Sequence, residues 1–227
     1  MRGGRVKLPV LAEISGPTPA PDRVWSLRRG DRTELGKLDD RLEGLRSVAV
    51  TGGEDGAEVL AVALAGIAAA AGRRTVLLEC DLVRPRLAVD LGLEPAPGLH
   101  EYLRWEATAP QVLQPLALAG PESEPEAEPL VCIVAGRPAS DPSTLLGLKS
   151  FRHMTAKLRE AYELVVMLAP AIDADQPTLG AVAGQADGVL AGIAPDQASG
   201  RGARRARAAL RGLPVAPLGA VVVGLDA

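Results

Sequence analysis

The sequence predicts a doubly wound α/β domain, with a mostly parallel sheet carrying helices on both faces. Two observations predict it. Short apolar runs recur along residues 47–223, separated by stretches of helical length. The runs are continuously apolar rather than alternating, the pattern of parallel strands covered on both sides. Composition agrees: 227 residues, 47% hydrophobic, 23% charged and a net charge of −3 leave ample material for a core and exclude a wholly disordered chain. Aromatic residues make up only 2%, so that core is built from Ala, Val and Leu.

In chain order, residues 1–46 read as an N-terminal arm, and residues 47–227 as the α/β domain. Residues 6–14 (VKLPVLAEI) predict a short strand, residues 15–22 a Pro/Gly-rich linker, and residues 33–45 a polar helix. The predicted strands of the body are 47–51 (SVAVT), 75–80 (TVLLEC), 130–135 (LVCIVA), 164–168 (LVVML), 188–193 (GVLAGI) and 218–223 (LGAVVV). Helices are expected over 57–71, over 143–161 with a break near Ser150, over 178–185 and over 201–210. Residues 121–129 (PESEPEAEP), with three prolines and alternating Glu, read as an extended solvated loop.

Several functional classes drop out. Five aromatic residues in the whole chain are too few for a base-stacking platform, so no nucleic-acid partner is expected. Cys80 and Cys132 lack zinc-site spacing and sit in apolar runs, which predicts two buried thiols and no metal centre. The longest apolar stretch, residues 59–71, is shorter than the roughly 20 residues a membrane helix needs. The chain therefore reads as cytoplasmic, with no signal core at its start. His100 and His153 stand isolated, and five arginines of the last helix (Arg201, Arg204, Arg205, Arg207, Arg211) read as a solvated face.

The first body strand runs into Thr51-Gly52-Gly53-Glu54-Asp55-Gly56 and then an Ala-rich helix, the place of a phosphate-binding loop in such a fold. Glycines let backbone amides curl round phosphate oxygens, a Lys reaches the β/γ-phosphates, and a Ser or Thr holds Mg²⁺. Here the register puts Val59 at the Lys position and Leu60 at the hydroxyl position, and no Lys occurs between Lys37 and Lys149. Glu54, Asp55 and Glu58 bring negative charge to the place of the phosphates. Each lost charge-assisted contact costs about 1.5–3 kcal/mol, so two or three losses weaken nucleotide binding by orders of magnitude. Glu79 and Asp81, two residues apart at a strand end, suit either Mg²⁺ positioning or a capping and salt-bridging role towards Arg84 or Arg86. The candidate site is thus Gly52, Gly53 and Gly56 as a residual phosphate loop, with Glu79 and Asp81 beside it and no catalytic residue assigned.

Taken together, these residues resemble the bacterial tyrosine kinases of capsule and exopolysaccharide assembly, relatives of the MinD/ParA deviant P-loop ATPases. Residues 8–14 (LPVLAEI) are similar to that family's LPVLGxIP segment, and 76–85 (VLLECDLVRP) to its Walker A′ pattern LLIDxDLRRP. Gly92 with Gly98-Leu99 matches its FGL…GL pattern, and 136–146 (GRPASDPSTLL) is similar to GxxPxNPxELL. Residues 162–170 align with YDxVIIDTPP and 186–190 (ADGVL) with ADGVLLV. The departures fall on nucleotide-binding positions: Val59 and Leu60 in Walker A, Glu79 for the first acid of Walker A′, Leu168 for the Walker B Asp, and Val223 where the family carries an adenine-binding Asn. The family's tyrosine-rich tail has no counterpart, since Tyr102 and Tyr162 are the only tyrosines. Its ExxRxxR oligomerisation helix is matched in part, by Glu34 and Lys37 with Asp40 in the last position.

What the resemblance implies is a P-loop-type fold and a catalytically degenerate kinase-like domain, a scaffold or regulator in polysaccharide chain-length control and export. No cofactor is expected; ATP and Mg enter only if the site retains residual binding. The implied partner is a membrane-anchored polysaccharide co-polymerase or chain-length-determinant protein, holding the chain at the inner face of the membrane directly or through a fused domain. Homo-oligomers belong to the same expectation. Two alternatives stay open: an active ATP-dependent protein-tyrosine kinase with an atypical site, and a MinD/ParA-like positioning adaptor.

Overall fold

The computed structural model describes residues 8–15, 18–19, 25–26, 28–53, 56–116, 130–173 and 175–224. The acidic segment 121–129, most of the linker 15–22, and Glu54 and Asp55 lie outside the described residues. The N-terminal part holds β1 (Val10–Ile14), a short antiparallel pair β2 (Thr18–Pro19) and β3 (Trp25–Ser26), and helix α1 (Arg29–Arg41). The body opens with β4 (Ser47–Gly52), α2 (Gly56–Ala70) and β5 (Thr75–Glu79). Three short helices follow, α3 (Leu87–Leu91), α4 (Leu99–Leu103) and α5 (Ala109–Val112), then β6 (Gln114–Leu116) and β7 (Leu130–Ile133). The chain ends with α6 (Pro142–Gly147), α7 (Lys149–Ala161), β8 (Leu164–Leu168), α8 (Gln176–Ala183), β9 (Gly188–Ile193), α9 (Gly200–Arg211) and β10 (Pro217–Val223).

Eight strands form one sheet in the order β1-β10-β9-β4-β8-β5-β7-β6. Every pair is parallel except β6 with β7. All six predicted body strands are present. The connections after β4 and β5 move towards one edge and those after β7, β8 and β9 towards the other, so right-handed crossovers put α2 on one face and α7, α8 and α9 on the opposite face. Strand residues divide accordingly. Val48, Val50, Leu77 and Val166 join a cluster with α1 and α2, whereas Ala49, Val76, Leu78 and Val165 join a second cluster with α7, α8 and α9. Phe151, the only phenylalanine, is fully buried in the second cluster.

The long apolar run of α2 is explained by its position. It lies on β4, β5, β8 and β9 and is covered from outside by α1, so residues 56–65 are buried on every side. The boundary expected at residue 46 does not separate two packing units. Strand β1 pairs in parallel with β10, and Ala12, Ile14, Leu35, Leu38 and Leu42 belong to the same core as α2. A partly buried ion pair between Asp39 and Arg73 ties α1 to the turn after α2. Helix α1 also runs earlier than the predicted 33–45. The Ser15 amide donates to Asp31 Oδ1 (2.9 Å) in its first turn, and Gly44 at φ +87° turns the chain before Leu45. The predicted helix 143–161 breaks at Leu148, whose extended backbone ends α6 and starts α7. Helices α3, α4 and α5 and the edge strand β6 were not predicted; each has five residues or fewer, too short for a helical or alternating period to emerge.

Cys80 and Cys132 are both free and buried, as expected. Burial pushes the Cys132 thiol up to about 12 and the Cys80 thiol well above its ordinary value, so both are inert thiols. No described helix is long and apolar enough to cross a membrane.

Three glycines set the closest approach in the fold. A Cβ on Gly52 would run into the Gly192 carbonyl oxygen, and one on Gly192 would run into that of Gly56, so the ends of β4 and β9 and the start of α2 meet backbone to backbone. Gly192→Ala is expected to destabilise the protein by about 3 kcal/mol, because rigid backbone stands on the receiving side. Urea unfolding checks this; a midpoint within error of the wild type would contradict it.

Candidate functional site

The C-terminal ends of β4, β5 and β8 meet beside the point where the connections diverge to the two faces, the usual place for a ligand in an open α/β sheet. Thr51, the last residue before the glycines, is buried and donates from Oγ1 to the Pro170 carbonyl (2.7 Å). The Gly53 amide donates to the Gly192 carbonyl at 3.2 Å, so this loop amide is engaged inside the protein. Gly52 and Gly56 lie behind it against Gly192. Of Gly52, Gly53 and Gly56, only Gly53 borders the cavity, together with Ala57, Glu58, Glu79, Asp81, Arg84, Arg86 and Leu168 among the described residues. That cavity is about 240 Å³, below the roughly 300–1,000 Å³ of typical small-molecule pockets.

Val59 and Leu60, at the Lys and hydroxyl positions, are 7% and 0% exposed and pack in the α2 side of the core. Leu168, at the Walker B position, is buried at the end of β8. Val223 is buried too, paired with Ile14 of β1.

Glu58, in the first turn of α2, is the acid that faces the cavity, with its side chain only 8% exposed. Burial raises its pKa to about 8, helped by a hydrogen bond and charge repulsion from Asp90, while Arg86 works in the opposite direction. Arg86 Nε lies 3.7 Å from Glu58 Oε2 and 3.6 Å from Asp90 Oδ2. Glu79 is 1% exposed and spends both carboxyl oxygens on backbone amides. Its Oε1 accepts from Arg86 (2.7 Å) and Leu87 (3.1 Å), capping α3, and its Oε2 accepts from Ala135 (2.8 Å) beyond β7. Burial raises its pKa and those three amides pull it back. Asp81 Oδ1 accepts from the amides of Val83 (3.1 Å) and Arg84 (3.0 Å), closing a tight turn. Among the described residues no three His, Cys, Asp or Glu side chains gather as a cation cage.

A second polar cluster borders this region. Glu101 accepts from the Gly98 amide (2.8 Å) and from Arg137 through both Nε (2.8 Å) and the amide (3.2 Å). Burial works upward on Glu101, but Arg137 and the two amides hold its carboxyl below the usual range. These bonds fix the start of the GRPASDPSTLL segment, and Asp141 then caps α6 through the Thr144 amide (3.1 Å), with Pro142 in the first helical turn. Glu34 and Lys37 pair with each other at 2.6 Å on the outer surface of α1.

The structure therefore gathers Gly53, Glu58, Glu79 and Asp81 round one cavity and sets Asp90 beside Glu58, a pairing that sequence reasoning missed. Asp90 belongs to the unpredicted helix α3, and no local pattern pairs it with a residue 32 positions earlier.

No protein-family model and no curated protein matches the sequence. Solved structures match its fold. The kinase domain of the Escherichia coli tyrosine kinase Etk superposes with a TM-score of 0.80 at 17% identity, over 96% of this chain and 91% of that one. The chimeric protein CapA2B2 gives 0.79 at 16% identity over 97% and 96%. MinD from Pyrococcus horikoshii, solved with Mg-ADP, gives 0.60 at 16% identity over 78% and 69%. The chain is thus an α/β protein of the P-loop, MinD-like fold. Within it, the likeness to tyrosine-kinase domains spans nearly the whole chain, and at these identities it is a likeness of fold.

The Glu58 pKa has a consequence for stability. An unfolded Glu titrates near 4.5, so between about pH 4.5 and about pH 8 the folded chain holds a proton there that the unfolded chain has released. Stability attached to this group is complete below the unfolded value and is lost as pH rises through the folded one. The urea midpoint is expected to fall from pH 5 to pH 8, and Glu58→Gln is expected to flatten that fall. Equal slopes in the two proteins would contradict the assignment.

Proposed function

We propose that the chain is a tyrosine-kinase-like domain without phosphoryl-transfer chemistry, serving as a scaffold or regulator in capsule or exopolysaccharide chain-length control and export. The observation that carries the reading is Glu58 lining the cavity where nucleotide phosphates would lie, with Asp90 beside it and Val59 and Leu60 in the core. Mg-ATP does not fit this donor set. A triphosphate needs a Lys, amides free to point at it and an open hydroxyl for Mg²⁺. Here Glu58 lines the cavity instead, the Gly53 amide is bonded to Gly192, and Glu79 is committed to three backbone amides.

The partner in this reading is a membrane-anchored co-polymerase or chain-length-determinant protein, with the chain at the inner face of the membrane, alone or as a homo-oligomer. The LPVLAEI segment and the fold likeness to tyrosine-kinase domains support it over a MinD/ParA-like adaptor, because the kinase domains match more of the chain. An active kinase needs a phosphate-binding cation from elsewhere. Arg84 and Arg86 border the cavity, but Arg86 already lies beside Glu58 and Asp90.

Incubated with Mg-ATP, the purified chain is expected to release no ADP and to carry no phosphotyrosine above a heat-denatured control. Turnover that disappears in Asp81→Asn, a variant that keeps the side-chain oxygen of the turn, would overturn the reading in favour of an active kinase.

A further inference from the structure

The two helical layers differ sharply in charge. Helices α7, α8 and α9, on one face of the sheet, carry nine Lys and Arg residues and a single acid, Glu160. Helices α1, α2 and α3, on the other, carry four basic residues and six acids. In a chain of net charge −3, positive charge has been segregated to one side.

Helix α9 concentrates it. Its 12 residues include five arginines and no acid, and Arg204, Arg205, Arg207 and Arg211 occupy one arc while Ala206 and Leu210 face the core, 6% and 1% exposed. Arg204, Arg205 and Arg211 are exposed and Arg207 half-buried. Arg205 lies 3.7 Å from Asp173, an exposed contact of little worth. Arg204, Arg207 and Arg211 have no acidic partner among the described residues, nor do Lys149 and Arg152, both exposed on α7. Like charges at three- and four-residue spacing destabilise a helix. Among the described residues only Asp173 approaches this row, at Arg205, so an external anion has Arg204, Arg207 and Arg211 to neutralise.

The arrangement selects the kind of anion. These residues line none of the cavities described above; they spread over the outer surface of a helical layer, which suits a plane of negative charge better than one phosphate. The one aromatic residue interleaved with them, Phe151, is fully buried and offers no face for a base to stack on. Leu148, 36% exposed at the start of α7 beside Lys149, adds an apolar contact of the sort that enters a headgroup layer. We propose that the α7–α9 face binds the surface of an anionic lipid bilayer. The inference stands on charge placement and does not depend on the loss of kinase chemistry.

Co-sedimentation of the full chain with lipid vesicles tests it. The chain is expected to bind vesicles of mixed phosphatidylglycerol and phosphatidylcholine, to ignore pure phosphatidylcholine, and to dissociate at about 1 M salt, where charge is screened within a few ångströms. The triple variant Arg204→Gln, Arg207→Gln, Arg211→Gln removes charge at accessible positions and is expected to lower partitioning by at least about 30-fold with an unchanged circular dichroism spectrum. Lys37→Gln, on the opposite layer, is expected to leave it unchanged. Absence of binding to the mixed vesicles, equal binding to both kinds, or full binding by the triple variant with its fold intact would overturn the proposal. So would retention on polyglutamate or single-stranded DNA without retention on the vesicles.

Discussion

The buried carboxylate of Glu79 holds together three segments that are far apart in sequence. It ends β5, caps α3 through the Arg86 and Leu87 amides, and reaches across to Ala135 beyond β7. The Leu87 and Ala135 amides would otherwise be buried donors without an acceptor, at a cost of about 1–3 kcal/mol apiece. Because this clamp fixes where α3 starts, it also fixes Arg86 and Asp90, and through them the surroundings of Glu58. The cavity at the end of the sheet is therefore shaped by this buried acid.

Around that clamp the electrostatics run opposite to those of a phosphate site. Burial, helped by the neighbouring Asp90, raises the Glu58 pKa to about 8, and Arg86 works in the opposite direction. The backbone frame of the loop is nonetheless kept. Gly52, Gly56 and Gly192 still meet without room for a side chain, because β4, β9 and α2 must converge there for the sheet to close. The frame answers to packing, and the side chains that line the cavity are set separately from it.

Legibility of the sequence follows the same division. The six body strands declare themselves because a parallel strand buried on both faces is a continuous apolar run, as in 164–168. Helix α2 and the amphipathic α9 have enough turns to show their character. Helices α3 to α5 have too few residues for a period, and β6 owes its existence to pairing with β7. The place of β1 rests on residues some 200 positions away, which no window along the chain contains. At the site, the substitutions at Val59, Leu60 and Leu168 are plain in the sequence. The engagement of Glu79 with backbone amides and of Glu58 with Asp90 is not, since backbone partners carry no residue identity and the acid pair forms only when α3 folds.

The central claim is that this cavity, in a fold shared with tyrosine-kinase domains, is closed to nucleotide by its own carboxyl groups. Calorimetric titration of the purified chain with Mg-ATP tests it most directly. The account predicts no saturable heat up to millimolar nucleotide at neutral pH. Stoichiometric binding with a micromolar Kd, dependent on Mg²⁺, would contradict it.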